Sequence, residues 1–404
     1  MGKSYRVKRI FLFIIIVNCM IWLAGCWSSR ELSELMIVTG MGIDKDPESE
    51  NYVVTLQIIN PGEIASQTKT ERLEVTAYQT KGKTLYEVMR RISTEVPRKM
   101  YLSHIQLIIF GEELAKEGIG KSLDFISRNH EFRTDFFILV SKGGKAEDIL
   151  NVLTPTESSP SVSLYSSIEV AEKIWAPTKG VPLDELLRGI ISEAKSPVLT
   201  GVKVIGDKEK GSEVLGLEQI KPAAVTKITG YAAFKKDKLI GWLNENESKG
   251  YNYIIDNVDT TVGVIPCQED GVIALDVSKY KSEINASMKN GKPLITIDTN
   301  IEADIGEVRC NFDLLKEESI RKIEKDAEQQ VASLMEVSVK KAKEELKSDI
   351  FGFGEAIHRQ QPDTWKKIKN NWNETFQEVE VTYNIQYKIR RLGTITNPIE
   401  LDKK

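Results

Sequence analysis

Residues 379–390 read VEVTYNIQYKIR. Apolar Val379, Val381, Tyr383, Ile385, Tyr387 and Ile389 alternate strictly with Glu380, Thr382, Asn384, Gln386, Lys388 and Arg390. Only an extended chain turns a period of two into one apolar and one polar face. The segment predicts a half-buried strand of the kind found in antiparallel sheets with one wetted side. Upstream the period changes. Trp365, Ile368, Trp372 and Phe376 fall at i, i+3, i+7 and i+11, which predicts an amphipathic helix with Asp363 as N-cap after Pro362. Ile320, Ile323, Ala327, Val331, Leu334, Ala342 and Leu346 give residues 314–346 a period near 3.6, with Lys and Glu on the other faces. That is a long helix lying on a sheet.

Further upstream, residues 272–280 and 294–301 lean to strand around Asn290-Gly291, a strong hairpin signal. Residues 230–235 and 238–243 form two more apolar strands about Lys236-Asp237. The C-terminal part therefore reads as α+β, with an antiparallel sheet and a long amphipathic helix. In the first half, residues 35–43 and 52–59 suggest a hairpin and 73–79 another strand. Leu85, Val88, Met89 and Ile92 make residues 84–95 an amphipathic helix ended by Pro97. Strand-like 105–110, a helix over 112–129 that must accommodate Gly118 and Gly120, strand-like 136–140 and a short helix over 146–153 follow. Such alternation suits a mixed sheet covered by helices.

Ser, Thr and Pro enrich residues 154–170, and a second polar break covers 206–224. The expected organisation is a signal segment (1–25), an N-terminal domain (26–205) with a possible subdivision near 154–170, a linker (206–224) and a C-terminal domain (225–404). A chain of 404 residues is too long for one core at roughly 100–200 residues per domain.

The N-terminus carries the sharpest local signal. Lys3, Arg6, Lys8 and Arg9 precede an apolar run over 10–23, and Leu23-Ala24-Gly25-Cys26 places small residues before a cysteine. This is a secretory signal with a lipoprotein cleavage site, which assigns Cys26 as the lipid carrier. An uncleaved anchor is the alternative, since the apolar stretch extends to about 18 residues against the ~20 a span needs. Either way the rest of the chain lies outside the cytoplasm. Losing the four cations of residues 1–25 takes the formal charge from −4 to −8. An acidic chain lacks the basic face that nucleic acid requires.

With Cys19 in the signal and Cys26 lipidated, Cys267 and Cys310 remain. A two-residue turn at Asn290-Gly291 sets Cys310 across from Gly271, four residues from Cys267, so that a bridge requires a bulge or another register. Pairing and free thiols both stay open. The three histidines, His104, His130 and His358, lack zinc-site spacings, and His104 and His358 read as structural. Gly40-Met41-Gly42 and Gly120-Lys121-Ser122 miss residues that nucleotide loops require. The Trp365/Trp372 stripe reads as core, and Lys366, Lys367 and Lys369 beside it allow contact with lipid head groups or a partner. Gly352 and Gly354 suggest a turn. No nucleophile motif with a partnered base is present, so no catalytic residue, cofactor or metal site is assigned.

Taken in order, Cys26-Trp27, Arg30-Glu31-Leu32, Gly40-Met41-Gly42-Ile43-Asp44, Ser103-His104, Gly111-Glu112-Glu113-Leu114-Ala115, Arg128, Arg133 and residues 146–150 resemble the Ger(x)C lipoproteins, the C subunits of spore germinant receptors. Gly230-Tyr231-Ala232-Ala233-Phe234, residues 237–241, Phe351-Gly352-Phe353-Gly354-Glu355, His358-Arg359, Pro362, Trp365 and Trp372 continue the likeness through nearly all of the mature chain. Ser28 stands where the family often has an acidic residue, which leaves the anchor unaffected. The resemblance implies a non-catalytic subunit that assembles with membrane-embedded A and B subunits, the B subunit similar to amino-acid transporters, in the spore inner membrane. The residues themselves show no convergent polar constellation, so small-molecule capture by this subunit is not expected. The alternative from the residues alone is a lipid-anchored solute-binding protein, suggested by the strand-helix alternation of 73–153, although the C-terminal part does not repeat the first as a second lobe.

Overall fold

A computed structural model of the chain describes residues 9–14, 35–60, 74–217, 220–267, 271–310 and 313–392. The first sheet is built from β1 Leu35–Lys45, β2 Tyr52–Ile59, β3 Val75–Gly82, β4 Lys99–Tyr101, β5 Leu107–Phe110, β6 Phe137–Ser141, β7 Val198–Gly206, β8 Ala224–Lys235 and β9 Lys238–Trp242. Their order is β3-β2-β1-β5-β6-β7-β8-β9, with short β4 beside β1. The centre, β1, β5, β6 and β7, is parallel, and antiparallel strands flank it on both sides.

Every residue of β5, Leu-Ile-Ile-Phe, is buried. Ile108 and Phe110 enter one core while Leu107 and Ile109 enter another, so both faces must be covered. Helices α1 Leu85–Arg91, α2 Glu112–Glu117 and α3 Gly120–Arg128 pack on the first face. On the second face lie α4 Ala146–Asn151 and α5 Pro160–Ile174. α6 Leu183–Ile191 returns to the first.

Three segments differ from the sequence expectation. The single helix over 112–129 is two, because Gly118 takes φ 134°, which side-chain-bearing residues avoid, and Asp237 accepts from the Gly120 N–H at 3.1 Å. Of residues 154–170, which their Ser, Thr and Pro content marks as a linker or long surface loop, only 154–159 are irregular and the rest are helix. Ser159 caps α5, Pro160 occupies its first turn, and Leu164 and Ile168 face the core one turn apart. The expected linker, 206–224, joins β7 to β8, which pair as antiparallel neighbours, so the strands of residues 224–242, grouped by sequence with the C-terminal part, complete the first sheet.

The second sheet runs β10 Thr261–Pro266, β11 Val272–Lys289, β12 Lys292–Val308 and β13 Glu380–Arg391 in that order. Asn290 and Gly291 both take positive φ, 52° and 79°, as a tight hairpin turn needs, and pair Lys289 with Lys292. Each strand of this ribbon carries one bulge: Gly306 is skipped in β12 and Ser278 in β11. α7 Glu245–Ile254 and α8 Glu317–Lys340, the latter ending in a π-helical turn Lys341–Leu346, cover the sheet. A Cβ on Gly250 would overlap the Leu334 carbonyl, so the glycine sets how closely these two helices approach. The core they enclose also takes Tyr231 and Ala233 of β8, which welds the two sheets together.

β13 is a strand, but parallel to β12 and not antiparallel. Its alternation comes from its place as an edge strand, with Tyr387 buried and Val381, Tyr383, Ile385 and Ile389 half-buried against the core. A parallel partner requires a helical crossover. That crossover is α8 followed by α9 Phe353–Gln360, α10 Pro362–Ile368 and α11 Trp372–Glu378. The last two replace the one helix expected around Trp365 and Trp372, with Pro362 in the first turn and Gln361, not Asp363, at the cap position.

Cys267 and Cys310 are disulfide-bonded. The two bulges cancel, so Cys310 does sit across from Gly271, and no altered register is used. Instead the Cys267 N–H donates to the Gly271 carbonyl at 2.9 Å, which holds the residue after β10 beside the one before β11. The bridge thus crosses over Gly271, whose missing Cβ would stand 2.7 Å from Cys310 Cβ and 3.1 Å from Cys267 Sγ.

Candidate functional site

Cys26 lies outside the described residues. The other segments that carried the resemblance converge on buried polar centres. The first forms where β1 ends. Asp44 Oδ1 accepts from the Ala146 N–H at 2.8 Å and Oδ2 from the Glu147 N–H at 3.1 Å, so its carboxylate closes the N-terminus of α4. Burial pushes this carboxyl up to about 6, against the pull of those two backbone donors. A Cβ on Gly111 would overlap Asp44 Oδ1, and Gly40 and Gly42 let Ser161, Ala146 and Leu150 approach the strand. In parallel sheets, ligands settle beyond the carboxyl ends of the strands, often against a helix N-terminus. Here the protein's own carboxylate takes that place.

Beside it, Gln57 bridges the layers. Its Nε2 donates to the Leu150 carbonyl at 2.7 Å, and its Oε1 accepts from Ser159 Oγ at 2.9 Å and from the Ser161 N–H at 2.8 Å. The third centre explains the Phe351-Gly352-Phe353-Gly354 segment. Asp349, 2% exposed, accepts from the N–H groups of Phe351 (3.0 Å), Gly352 (2.9 Å) and Gly354 (2.8 Å), and from Trp372 Nε1 at 3.3 Å. Its carboxyl too is raised by burial to about 6, with the backbone donors opposing. The Ser196 N–H donates to the Asp349 carbonyl at 2.7 Å, linking this knot to the segment that enters β7.

The histidines are exposed and packed on rings: His104 against Tyr101 and His358 stacked on Trp365. Trp365 and Trp372 meet edge to face at 5.5 Å in the core. Lys366, Lys367 and Lys369 face outward, as the sequence spacing indicates, except that Lys366 pairs with Asp363. Among the described residues no three His, Cys, Asp or Glu side chains gather as a metal site, and no helix is long and apolar enough to cross a membrane.

One large concavity was not foreseen. An open groove of about 1590 Å³ runs between α1, α3 and the β1–β2 turn, reaching Asp237 and Lys238 at the β8–β9 turn. Sequence reading misses it because its lining comes from segments distant in the chain. The only local hint is the density of Lys and Arg over residues 83–99.

Two family models cover most of the chain: "Spore germination protein N-terminal domain" matches residues 28–204 and "Spore germination B3/GerAC like, C-terminal" matches 229–393. Over 402 residues, 98% of both chains, the sequence is 31% identical to spore germination protein KC of Bacillus subtilis (strain 168), and it is 25% identical to spore germination protein B3 of the same organism over 95% of this chain and 98% of that one. The crystal structure of the GerBC protein superposes with a TM-score of 0.54 at 21% identity, covering 90% of this chain and 99% of the other, which supports the α+β fold with mixed sheets. The chain belongs to the GerAC-like family of spore germination proteins.

Proposed function

We propose that this protein is the C subunit of a nutrient germinant receptor: a non-catalytic lipoprotein, held by lipid on Cys26 at the outer face of the spore inner membrane, that works by assembling with membrane-embedded A and B subunits. The observation that carries this reading is likeness to a spore germination protein over 98% of the chain. Two further features support it. The Cys267–Cys310 bridge suits an oxidising compartment outside the cytoplasm. The buried polar groups Asp44, Gln57 and Asp349 are engaged by the fold itself, with no base aligned on a nucleophile. The solute-binding reading has less support. Such a protein uses two similar lobes, whereas these two sheets differ in order and strand direction, and Asp44 fills the crevice where the first would hold an anion.

Mass spectrometry of the membrane-extracted protein tests the anchor. The chain should begin at Cys26 and carry acyl mass, and Cys26→Ala should abolish both and weaken the spores' response to nutrient, because anchoring concentrates the subunit beside its partners. An intact N-terminus with unmodified Cys26 would refute the anchor. A normal response from unlipidated Cys26→Ala protein would show that lipid is dispensable for assembly.

A further inference from the structure

The groove beside α1 holds positive charge that the fold does not use. Eight Lys and Arg residues line it against five carboxylates, on a chain whose formal charge is −4. Lys45 pairs with Glu50 and Glu117, Lys99 with Glu131 and Arg128 with Asp124. The remaining five cations, Lys83, Arg90, Arg98, Lys121 and Lys238, have no carboxylate partner among the described residues, and all are exposed. Apolar side chains lie beneath them. Leu85, Met89 and Leu114 form the floor, and Tyr86, 59% exposed, stands at the rim. Its ring meets Phe125 edge-on at 6.5 Å, and the Arg90 guanidinium sits 5.3 Å above its face.

Size and charge together narrow the occupant. Pockets for small ligands span roughly 300–1,000 Å³ and enclose them. This groove is larger and open along its length. An anionic bilayer would also meet the five lining carboxylates, which repel it, whereas a discrete polypeptide can place its own acids only opposite the free cations. Tyr and Arg over an apolar floor are the side chains that dominate protein interfaces. We propose that the groove docks an acidic amphipathic segment of a partner protein, its apolar side on Tyr86 and Phe125 and its carboxylates on Lys83, Arg98 and Lys121. The proposal rests on the subunit reading above and names the surface that reading requires.

The test uses the full-length chain produced together with its membrane A and B subunits and purified in detergent. A photo-crosslinking benzoylphenylalanine replaces Tyr86, or Val337 on α8 as control. The double variant Arg98→Glu/Lys121→Glu is purified in parallel, with its melting curve compared to wild type. Crosslinking from position 86, and not from 337, to a membrane-subunit peptide rich in Asp and Glu is expected. The double variant should retain about tenfold less membrane subunit at ~0.1 M salt, and wild-type retention should itself fall as salt rises. Equal retention by a normally folded double variant overturns the groove while leaving the subunit reading intact. So does crosslinking from position 86 to lipid alone. A wild-type chain that retains no membrane subunit overturns both.

Discussion

In the first sheet the central strands β5 and β6 are four and five residues long and buried on both faces, whereas in the second β11 and β12 run for 18 and 17 residues with one face half wet. Short parallel strands cannot stand without helices on each side, so the first half is tied by its crossovers. The long ribbon is tied by its own ladder and needs helices on one face only. Both halves nonetheless place one buried carboxylate where backbone N–H groups would otherwise be orphaned: Asp44 at the start of α4 and Asp349 in the turn before α9. What differs is the number of donors that depend on each, and how far they lie from water.

That difference sets the largest expected effect. Asp349→Ala strands three backbone donors and the Trp372 indole inside the core, and should cost about 4 kcal/mol or more of unfolding free energy. Asp44→Ala strands two donors at a helix terminus and should cost about 2 kcal/mol. Urea titration of both variants that gave the reverse ranking would break the comparison.

Titration sharpens it. Both carboxyls sit near 6 in the folded chain against 3.8 for an ordinary aspartate, so between those values the native state binds more protons than the unfolded state. The stability contribution of each group is therefore greatest below about pH 4, falls as pH rises through 6 and is level above, a change of up to about 3 kcal/mol per group. Other carboxylates oppose this trend, Asp46 and Glu302 among them, since hydrogen bonds and nearby cations hold their pKa values down. The informative quantity is thus wild type minus Asp349→Asn, measured by urea unfolding at pH 4.5 and 7.5. A difference that does not change with pH would contradict the buried, proton-accepting carboxyl.

The smallest effect concerns the edge of the second sheet. Ile385→Asp puts a charge on the half-buried face of β13 and should lower stability by about 2 kcal/mol, while Gln386→Asp on the wet face should stay within about 0.5 kcal/mol. Equal melting temperatures would show that β13 does not face the core as described.

Much of this architecture is legible in the chain. Residues 107–110 and 379–389 announce strands because periodicity records burial, and Asn290-Gly291 announces its turn because few residue pairs tolerate two positive φ angles. Direction is another matter. An edge strand alternates whichever way its neighbour runs, so β13 gives no sign that it is parallel to β12. Long-range polar pairing is equally silent: Asp44 and Ala146 lie 102 residues apart, and nothing local marks the aspartate as a cap for a helix it does not adjoin. The groove was hidden for the same reason.

The paired bulges at Ser278 and Gly306 bear on which sequence changes this family can accept. A one-residue slip in a ladder turns every following side chain to the opposite face. Ser278 and Gly306 each stand outside the pairing, so the ladder continues unslipped past both and Cys310 reaches the end of the ribbon where Cys267 waits. Deleting Ser278 alone, or Gly306 alone, should remove only a residue that has no partner: every ladder pair keeps its register, Cys310 stays across from Gly271 and the bridge still forms, with the ribbon losing one bulge and its local twist. Single-residue length variation along this ribbon should therefore be tolerated at these two unpaired positions, whereas the same change at a paired position between them and the turn would slip the ladder and turn the following side chains over.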